Sequence, residues 1–316
     1  MTRRYRWIAD EIAALDPETD YETIWRLTSC YGIDDFSLNL VYAHLFPHFY
    51  LPHHGAQTLW GTQKVVEKAT QRVEDTIRNN VIWWFHGPSH PRTRDSVESI
   101  NKLHAHIATQ HPGAFEDQDD FLFTLAFSAA SLHRFNLALG LPGYTDKQKI
   151  AAHHFWRDMA DLFTDEHGAP IANFPPDWDS MIELVESYEQ RSWTYSPFGA
   201  LVTHAVLDQF AHRYWPRPLH GLARALVLST LHPSCWRTYR IDPPRPWVRR
   251  MLLTVVGVGL RVQRAVTPDP RTSYLEELDA LDRTERFERR REIRAVDEDF
   301  AQFFTSRHRE LLRTTL

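Results

Sequence analysis

Two histidines are separated by a single residue in the segment SINKLHAHIA, residues 99–108. Imidazole binds transition metals and exchanges protons near neutral pH, so either histidine is a candidate for chemistry. Residues two positions apart do not share a helix face, so at most one of the two points into a buried site. An apolar stripe follows three- and four-residue steps here: Val97, Ile100, Leu103 and Ile107. His104 lies within this stripe and is predicted to point inward, whereas His106 lies beside polar positions and is predicted to point outward.

An inward-pointing histidine is not by itself a ligand, because neutral imidazoles also occur in ordinary protein cores. In that alternative, His104 forms a hydrogen bond with a carbonyl or a hydroxyl group and has no chemical role. The residue pattern leaves both interpretations open.

A second polar group lies in TQRVEDTIRNN, residues 70–80. Arg72 and Thr76 are four residues apart and share one face of the predicted helix, with Asp75 close to that face. Such a group can be a structural ion-pair network. It can also be the polar wall of a pocket in which the arginine holds an anion such as a carboxylate.

Several catalytic motifs do not occur in the chain. It has no H-E-x-x-H for a zinc metalloprotease and no E-x-x-H for a carboxylate di-iron bundle. The glycine motifs for nucleotide phosphates and the G-x-S-x-G nucleophile motif are also missing. With only two cysteines, the chain cannot form a metal cluster that needs four thiolate ligands. The C-x-x-C-H motif is also missing, which excludes covalently attached haem. The main remaining route to redox chemistry is a cofactor held without covalent bonds by one histidine. A non-haem metal site built from distant histidines stays open as an alternative.

Helical periodicity accounts for most of the chain and predicts an all-α fold. Only 12 of the 316 residues are glycine, and regular alternating β-branched segments are missing. A helix is predicted to run without interruption from Gly61 to Asn80, and another is predicted to begin after Thr145 as its N-cap. Further helices are predicted over about residues 20–32, 93–111, 119–139, 175–193, 197–213, 218–231 and 247–265.

Residues 1–270 are expected to form one large multi-helix domain, and residues 271–316 a charged helical C-terminal tail. The tail is dense in both charge signs and holds too few apolar positions for a core of its own. It is therefore expected either to dock on the main domain or to be mobile.

The longest apolar segment is MLLTVVGVGL, residues 251–260, about half the length of a membrane span. Arginines flank it at 249, 250, 261 and 264. Its pattern favours a buried helix with basic ends over a helix that lies on a membrane surface.

The overall charge and the N-terminal residues limit the partners of the chain. The net charge of −5 gives no general affinity for nucleic acid. The first residues contain arginines but no apolar run of the kind found in secretory signals. We expect a cytoplasmic protein that has no transmembrane segment and that can contact a membrane only peripherally.

The order of several segments along the chain resembles the MpaB-type oxygenase family, which includes the rubber oxygenases called latex-clearing proteins. The segments are EIAALDPETDYETIWRLTSCY, QRVEDT, SINKLHAHI, DDFLFTLAF, LGLPGYTDKQKIAAHHFWRDMADLF and FPPDWDSMIELVESYEQ. The resemblance covers about residues 10–240 and implies an all-helical fold with a haem pocket between helices. It also implies haem b as cofactor and dioxygen as co-substrate.

The resemblance implies roles for individual residues. His104, within Leu103-His104-Ala105, matches the axial histidine of the rubber oxygenases and is the implied iron ligand. Its second ring nitrogen is then expected to donate to a carbonyl or carboxylate. Arg72 and Thr76 resemble an arginine and a threonine on the family's distal helix. The rubber enzymes have a lysine just before that threonine, whereas this chain has Asp75, whose carboxylate can act as a base.

The resulting functional hypothesis is a haem b-dependent oxygenase, an oxidoreductase, that acts on a small apolar molecule. Oxidative cleavage of a carbon–carbon double bond is the reaction that the resemblance implies. The alternatives are a non-haem metalloenzyme and a non-catalytic helical binding protein. Aromatic candidates for an apolar substrate wall, which core packing explains equally well, are Trp83, Trp84, Phe121, Phe123 and Phe127.

Overall fold

The computed structural model describes residues 5–315, and these residues form 17 α-helices, two short 3₁₀ helices and no β-strand. The predicted all-α fold is confirmed. The α-helices are α1 (Trp7–Ala14), α2 (Tyr21–Ser29), α3 (Asp35–Leu45), α4 (His53–Gly61), α5 (Lys64–Glu67), α6 (Ala69–His86), α7 (Pro91–Ala108), α8 (Gln118–Ala138), α9 (Asp146–Ala160), α10 (Trp178–Gln190), α11 (Pro197–Tyr214), α12 (His220–Thr230), α13 (Pro233–Tyr239), α14 (Pro246–Val266), α15 (Tyr274–Ala280), α16 (Arg283–Arg307) and α17 (Arg309–Thr315). The 3₁₀ helices are Phe46–His48 and Arg217–Leu219.

The helices group into two compact units, each built from three separate stretches of the chain. The first unit contains residues 5–34, 78–188 and 254–279, and it includes His104. The second unit contains residues 35–77, 189–253 and 280–315, and it includes Arg72, Asp75 and Thr76.

The core of the first unit is rich in aromatic side chains contributed by α2 and α9. The Trp25 ring stacks on Phe155 with 5.3 Å between ring centroids, and its edge meets Trp156 and Tyr144. The predicted cap at Thr145 is confirmed, because its hydroxyl accepts from the Gln148 backbone N–H in a capping box. Local sequence therefore fixes where α9 begins, and its aromatic face fixes how it packs.

The second unit is built around α11, whose residues from Gly199 to Ala211 are buried except for the half-buried His204. A Cβ atom at Gly199 would lie only 2.5 Å from the Tyr239 ring, so this position accepts no larger residue without a shift of that ring. Burial on all sides removes the amphipathic signature of a surface helix, and the polar side chains of Thr203, Asp208 and Gln209 are buried here as well.

The uninterrupted helix predicted from Gly61 to Asn80 is wrong. Lys68, with φ of −138°, separates α5 from α6, and α6 continues to His86. The carboxylate of Asp297 accepts hydrogen bonds from the Thr70 and Gln71 backbone N–H groups at 2.6 and 3.1 Å. A side chain from the C-terminal part of the chain thus binds N–H groups that a continuous helix would have used internally.

The C-terminal residues dock rather than extend away from the fold. Phe300 and Phe304 of α16 are fully buried in the second unit. Arg289 pairs with Asp35 at 2.8 Å and with Glu74 at 2.6 Å. The docked form of the predicted tail is the one observed, because Phe300 and Phe304, together with the buried Tyr274 and Leu275, supply its apolar contacts.

Helix α14 corrects the expectation for residues 251–260. The helix forms as predicted, and Leu252 is buried on one side. Its opposite face is exposed: Val255, for example, keeps 63% of its surface accessible to solvent. A fully buried helix was the wrong interpretation, because only one side of α14 packs on the protein. No helix among residues 5–315 is long and apolar enough to cross a membrane.

Candidate functional site

The predicted facing of the two neighbouring histidines is confirmed. His104 is half-buried on α7 and His106 is exposed. The predicted stripe is wrong at Leu103, which is 45% exposed. The buried positions of α7 include Asn101 and Ala108 instead. The inward side of the helix is therefore rotated by about one residue from the purely apolar pattern, because the amide of a polar residue, Asn101, packs inward.

The imidazole of His104 lies against aromatic rings. It stacks on Phe115 with 4.0 Å between ring centroids and an interplanar angle of 10°. The Phe121 ring meets it edge-on at 6.1 Å. This arrangement holds the imidazole in an apolar setting and fixes the plane of its ring.

Phe115 is held in place by a loop that Glu166 organises. The two carboxylate oxygens of Glu166 accept from the Gly113 and Phe115 backbone N–H groups, both at 2.8 Å. The backbone N–H of Glu166 donates in return to the Phe115 carbonyl at 3.1 Å. The loop between α7 and α8 is thereby tied to the turn after α9, and the ring that covers His104 is positioned by backbone contacts.

Burial determines the charge state of His104. Desolvation lowers its pKa from 6.5 to about 4, so the ring is neutral at pH 7. Its Nδ1 atom is buried and has no hydrogen-bond partner among the described residues. The expected hydrogen bond from one ring nitrogen to a carbonyl or carboxylate is not present at this atom. A neutral imidazole with an unused buried nitrogen is the chemical form in which histidine binds a metal.

Four other inward-facing histidines have a partner at one ring nitrogen or both, whereas His86 Nε2 and His212 Nδ1 resemble His104 Nδ1 in being buried without a hydrogen-bond partner among the described residues. His133 accepts from the Tyr144 backbone N–H at 2.8 Å, and His153 contacts the Pro175 carbonyl at 2.8 Å. His154 pairs with Glu18 at 2.7 Å. His204 accepts from Arg224 at 2.7 Å. Each of these contacts occupies one ring nitrogen and, in His133, His153 and His204, leaves the other as the atom that could bind a metal.

The guanidinium of Arg72 contacts two aromatic side chains. Its guanidinium donates to the Tyr42 hydroxyl and lies 4.0 Å from the centre of the Phe46 ring. Within residues 5–315 no carboxylate is close enough to form a salt bridge with it. Arg72 also lines a cavity of about 10 Å³, close to the space of one water molecule. A partly buried cation without a counter-ion is suited to bind an anion.

Among the described residues, an ion-pair network forms around Glu74, two positions after Arg72, and not around Arg72 itself. Glu74 binds Arg213 at 2.8 Å and Arg289 at 2.6 Å. Thr76 is half-buried, and its hydroxyl donates to the Arg72 carbonyl at 2.9 Å. Asp75 is exposed. The structure therefore keeps Arg72 and Thr76 on one side of α6 and turns Asp75 toward solvent.

The aromatic candidates separate into core and site residues. Three of them are buried as core residues, namely Trp83, Phe123 and Phe127. Phe121 contacts the His104 ring. The indole N–H of Trp84 is buried without a partner in the part of the chain that the structure describes. Phe121 is thus the one of the five that the structure brings to His104.

The sequence did not predict the residues that contact His104 and Arg72. Phe115 and Glu166 lie in irregular segments, and Tyr42 and Phe46 precede Arg72 by at least 26 positions. Helical periodicity carries no information on such contacts, because it describes faces within one element. The one available signal was the Pro112-Gly113 turn, which marks a loop without indicating what the loop covers.

The donor set fits a haem better than a metal ion bound by several side chains. Across residues 5–315 no group of three or more His, Cys, Asp or Glu side chains is arranged to hold a metal ion. One neutral imidazole in an aromatic setting is sufficient for axial ligation of a haem. The unused buried Nδ1 of His104 is consistent with such a ligand.

Comparison with known proteins identifies the family. None of the curated proteins matches the chain. The model of the family "ER-bound oxygenase mpaB/B'/Rubber oxygenase, catalytic domain" matches residues 50–264. That range contains α4 to α13 and nearly all of α14, and it includes His104, Arg72, Asp75 and Thr76. The chain therefore belongs to the MpaB and rubber oxygenase family and contains its catalytic domain.

Proposed function

We propose that this protein is a haem b-dependent oxygenase in which His104 is the protein ligand of the iron. Membership of an oxygenase family supports dioxygen as co-substrate and an oxidoreductase reaction. The observation that carries the haem assignment is the neutral His104 ring, whose Nδ1 is buried without a partner among residues 5–315.

His104 holds the cofactor, and its neighbours keep it ready to do so. Stacking on Phe115 fixes the orientation of the imidazole, and Glu166 fixes Phe115 through the backbone. Burial keeps the ring unprotonated, so no proton has to leave before it binds iron. Bound haem supplies the activation of dioxygen, which no amino-acid side chain provides.

Arg72 and Thr76 have a separate proposed role in the second unit. The uncompensated charge of Arg72 suits a carboxylate, either of the cofactor or of a substrate. The Thr76 hydroxyl hydrogen-bonds the Arg72 backbone and stabilises this turn of α6. Asp75 is the third proposed participant, and its exposed position makes proton exchange with water its most direct role.

The proposed substrate is a small apolar molecule that contains a carbon–carbon double bond, with oxidative cleavage of that bond as the reaction. The family supports this choice, since its description includes rubber oxygenases. The aromatic character around His104 is compatible with an apolar ligand.

The central experiment compares His104→Ala with His106→Ala after expression with sufficient haem. His104→Ala should remain helical and lose most of its Soret absorbance, because the single coordinate bond to the protein is gone. His106→Ala should keep haem content near that of the wild type, because His106 is exposed. Added imidazole should restore part of the spectrum of His104→Ala by replacing the missing ligand.

Two results would refute the haem assignment. The first is a wild-type protein without a Soret band after haem-replete expression. The second is a His104→Ala variant with full haem content and an unshifted band. In that second case His133, His153, His154 and His204 become the candidate ligands.

Arg72 is tested independently, because it lies in the other compact unit. Arg72→Ala should lower turnover per bound haem at least about tenfold if it positions an anion. A purely structural role predicts a lower unfolding temperature with turnover per folded molecule unchanged. Asp75→Asn keeps the side-chain shape and removes the charge, and unchanged turnover there excludes Asp75 from proton transfer.

A further inference from the structure

Helix α14 (Pro246–Val266) exposes an apolar stripe along its whole length. The stripe follows steps of four, four, three, four and four residues, which keep one face of an α-helix. Its members are between 45% and 69% exposed: Trp247, Met251, Val255, Val258, Val262 and Val266. Single exposed apolar residues are ordinary, but six in one continuous row indicate a surface that binds something.

The stripe is exposed although the opposite side of the helix is packed on the protein at Leu252 and Gly257. A Cβ atom at Gly257 would lie 2.1 Å from the carbonyl oxygen of Leu139, so the helix backbone approaches that residue closely. Leu252 is buried on the packed side. The helix is therefore docked in a defined orientation, and its apolar row points to solvent as a result of that orientation.

The same helix carries only positive charge. It contains Arg249, Arg250, Arg261 and Arg264 and no acidic residue, and the exposed Arg245 directly precedes it. The protein as a whole has a net charge of −5, so α14 is locally of opposite sign.

These arginines keep their charge uncompensated. Arg249 donates to the Ser229 carbonyl, Arg261 to the Gly140 carbonyl and Arg264 to the Asn136 side chain. All three acceptors are neutral. In the part of the chain that the structure describes, none of the five arginines pairs with a carboxylate.

We propose that α14 is an interfacial helix that lies flat on a membrane surface containing anionic phospholipid. The apolar row enters the boundary between headgroups and acyl chains, and Arg250 and Arg261 beside the row bind lipid phosphate and carboxylate groups. At 21 residues the helix is about 30 Å long, and a flat orientation engages all of it. The proposal does not depend on the haem assignment.

Charge complementarity selects a lipid surface over a second copy of this chain. Two copies of α14 packed through their apolar rows would bring Arg250 and Arg261, which flank the row, close to their counterparts without any acidic residue on α14 to pair with them. Such like-charge contacts are destabilising. An anionic bilayer offers an apolar layer to the exposed row and negative charge to Arg250 and Arg261, which lie beside the row at 100° per residue.

Vesicle sedimentation with the full chain tests the proposal. We expect binding to phosphatidylcholine vesicles that contain about 30% phosphatidylserine and much weaker binding to phosphatidylcholine alone. Raising the ionic strength to about 1 M, where the Debye length is about 3 Å, should weaken the binding. Failure of the wild-type protein to bind the anionic vesicles at low ionic strength would overturn the proposal.

Matched variants locate the surface that binds. The double variant Val255→Glu, Val258→Glu should bind anionic vesicles at least about tenfold more weakly, because two charges enter the apolar row. Arg250→Glu, at an exposed position without a partner, should weaken binding about fivefold or more. The control Phe287→Glu changes an apolar residue on α16 that is 58% exposed and should bind like the wild type. Circular dichroism checks that all variants stay folded.

A fluorescent label distinguishes membrane insertion from self-association. Cys30 and Cys235 are each only 1% exposed, so a cysteine introduced by Val258→Cys is the thiol that reacts. A polarity-sensitive label there should shift to shorter wavelength with anionic vesicles, whereas a label at Phe287→Cys should not. Equal shifts at both positions, or a dimer that the double variant dissociates without any vesicle binding, would contradict the proposal.

Discussion

His104 and His204 are both largely removed from water, and both have a lowered pKa, yet their surroundings differ. Burial lowers the pKa of His104 to about 4, with aromatic rings as its neighbours. Burial lowers the pKa of His204 to about 3, and the nearby charges of Arg224 and His308 contribute. Arg224 donates to Nδ1 of His204 and also binds the fully buried Asp208. The imidazole of His104 thus has a nitrogen without a partner among the described residues, whereas that of His204 belongs to a polar network.

The comparison shows that a lowered pKa alone does not distinguish a ligand from a structural histidine. Burial by itself would raise the pKa of Asp208, but the hydrogen bond from His308 and the charge of Arg224 lower it below its ordinary value. The second region is thus a closed set of mutually satisfied groups. The first region is poorly satisfied in the protein alone, which is the condition expected of a site that awaits a partner.

The largest expected effect is in the satisfied network. Asp208→Asn should lower the free energy of unfolding by about 3–5 kcal/mol, because it leaves Arg224 buried without its counter-ion. Urea unfolding at pH 7 measures this effect. The control Glu288→Gln removes an exposed pair with Arg291 and should leave the unfolding midpoint nearly unchanged. Equal, small effects of both substitutions would mean that the network contributes little.

The second largest expected effect is on how the free energy of unfolding depends on pH in acid. His104 is neutral in the folded protein above pH 4, whereas the unfolded chain binds a proton below its ordinary pKa of 6.5. Stability is therefore full above 6.5 and decreases as the pH falls toward 4. His104→Phe, prepared without haem, should retain about 3 kcal/mol more of its stability than the wild type over this interval. Identical pH dependence of the two proteins would show that His104 is not desolvated.

The smallest expected effect is the difference in unfolding free energy between substitutions of His104 and His204 at neutral pH. His104→Phe should change the free energy of unfolding by less than about 1 kcal/mol, because no hydrogen bond is lost. His204→Phe should cost about 1–3 kcal/mol, because Arg224 loses an acceptor. Thermal unfolding of haem-free protein at pH 7 compares them. A larger loss for His104→Phe than for His204→Phe would reverse the comparison.

Much of the secondary structure was predictable because its signals are local. The cap at Thr145 and the helix end before Gly140 depend on neighbouring residues alone. The interruption at Lys68 was not predictable, since Asp297, which caps α6, follows it by more than 220 positions. Local periodicity contains no information on a side chain from so distant a part of the chain.

The candidate site was predictable to a similar extent. Helical spacing correctly turned His104 inward and His106 outward. It misassigned Leu103, because the buried side of α7 includes the amide of Asn101, which donates to the Leu162 carbonyl at 2.9 Å. An apolar-only pattern cannot include a polar residue that becomes satisfied through a tertiary contact.

The amino-acid sequence by itself determined that this chain is helical, that it lacks the motifs of several enzyme classes, and which oxygenase family it resembles. These properties follow from residue type and spacing along one element. Tertiary structure alone decided that, among residues 5–315, His104 has no partner at Nδ1 and Arg72 meets aromatic rings instead of a carboxylate, and that one side of α14 faces solvent. The physical reason is that burial and hydrogen-bond satisfaction depend on groups brought together from distant positions, whereas propensity and periodicity do not.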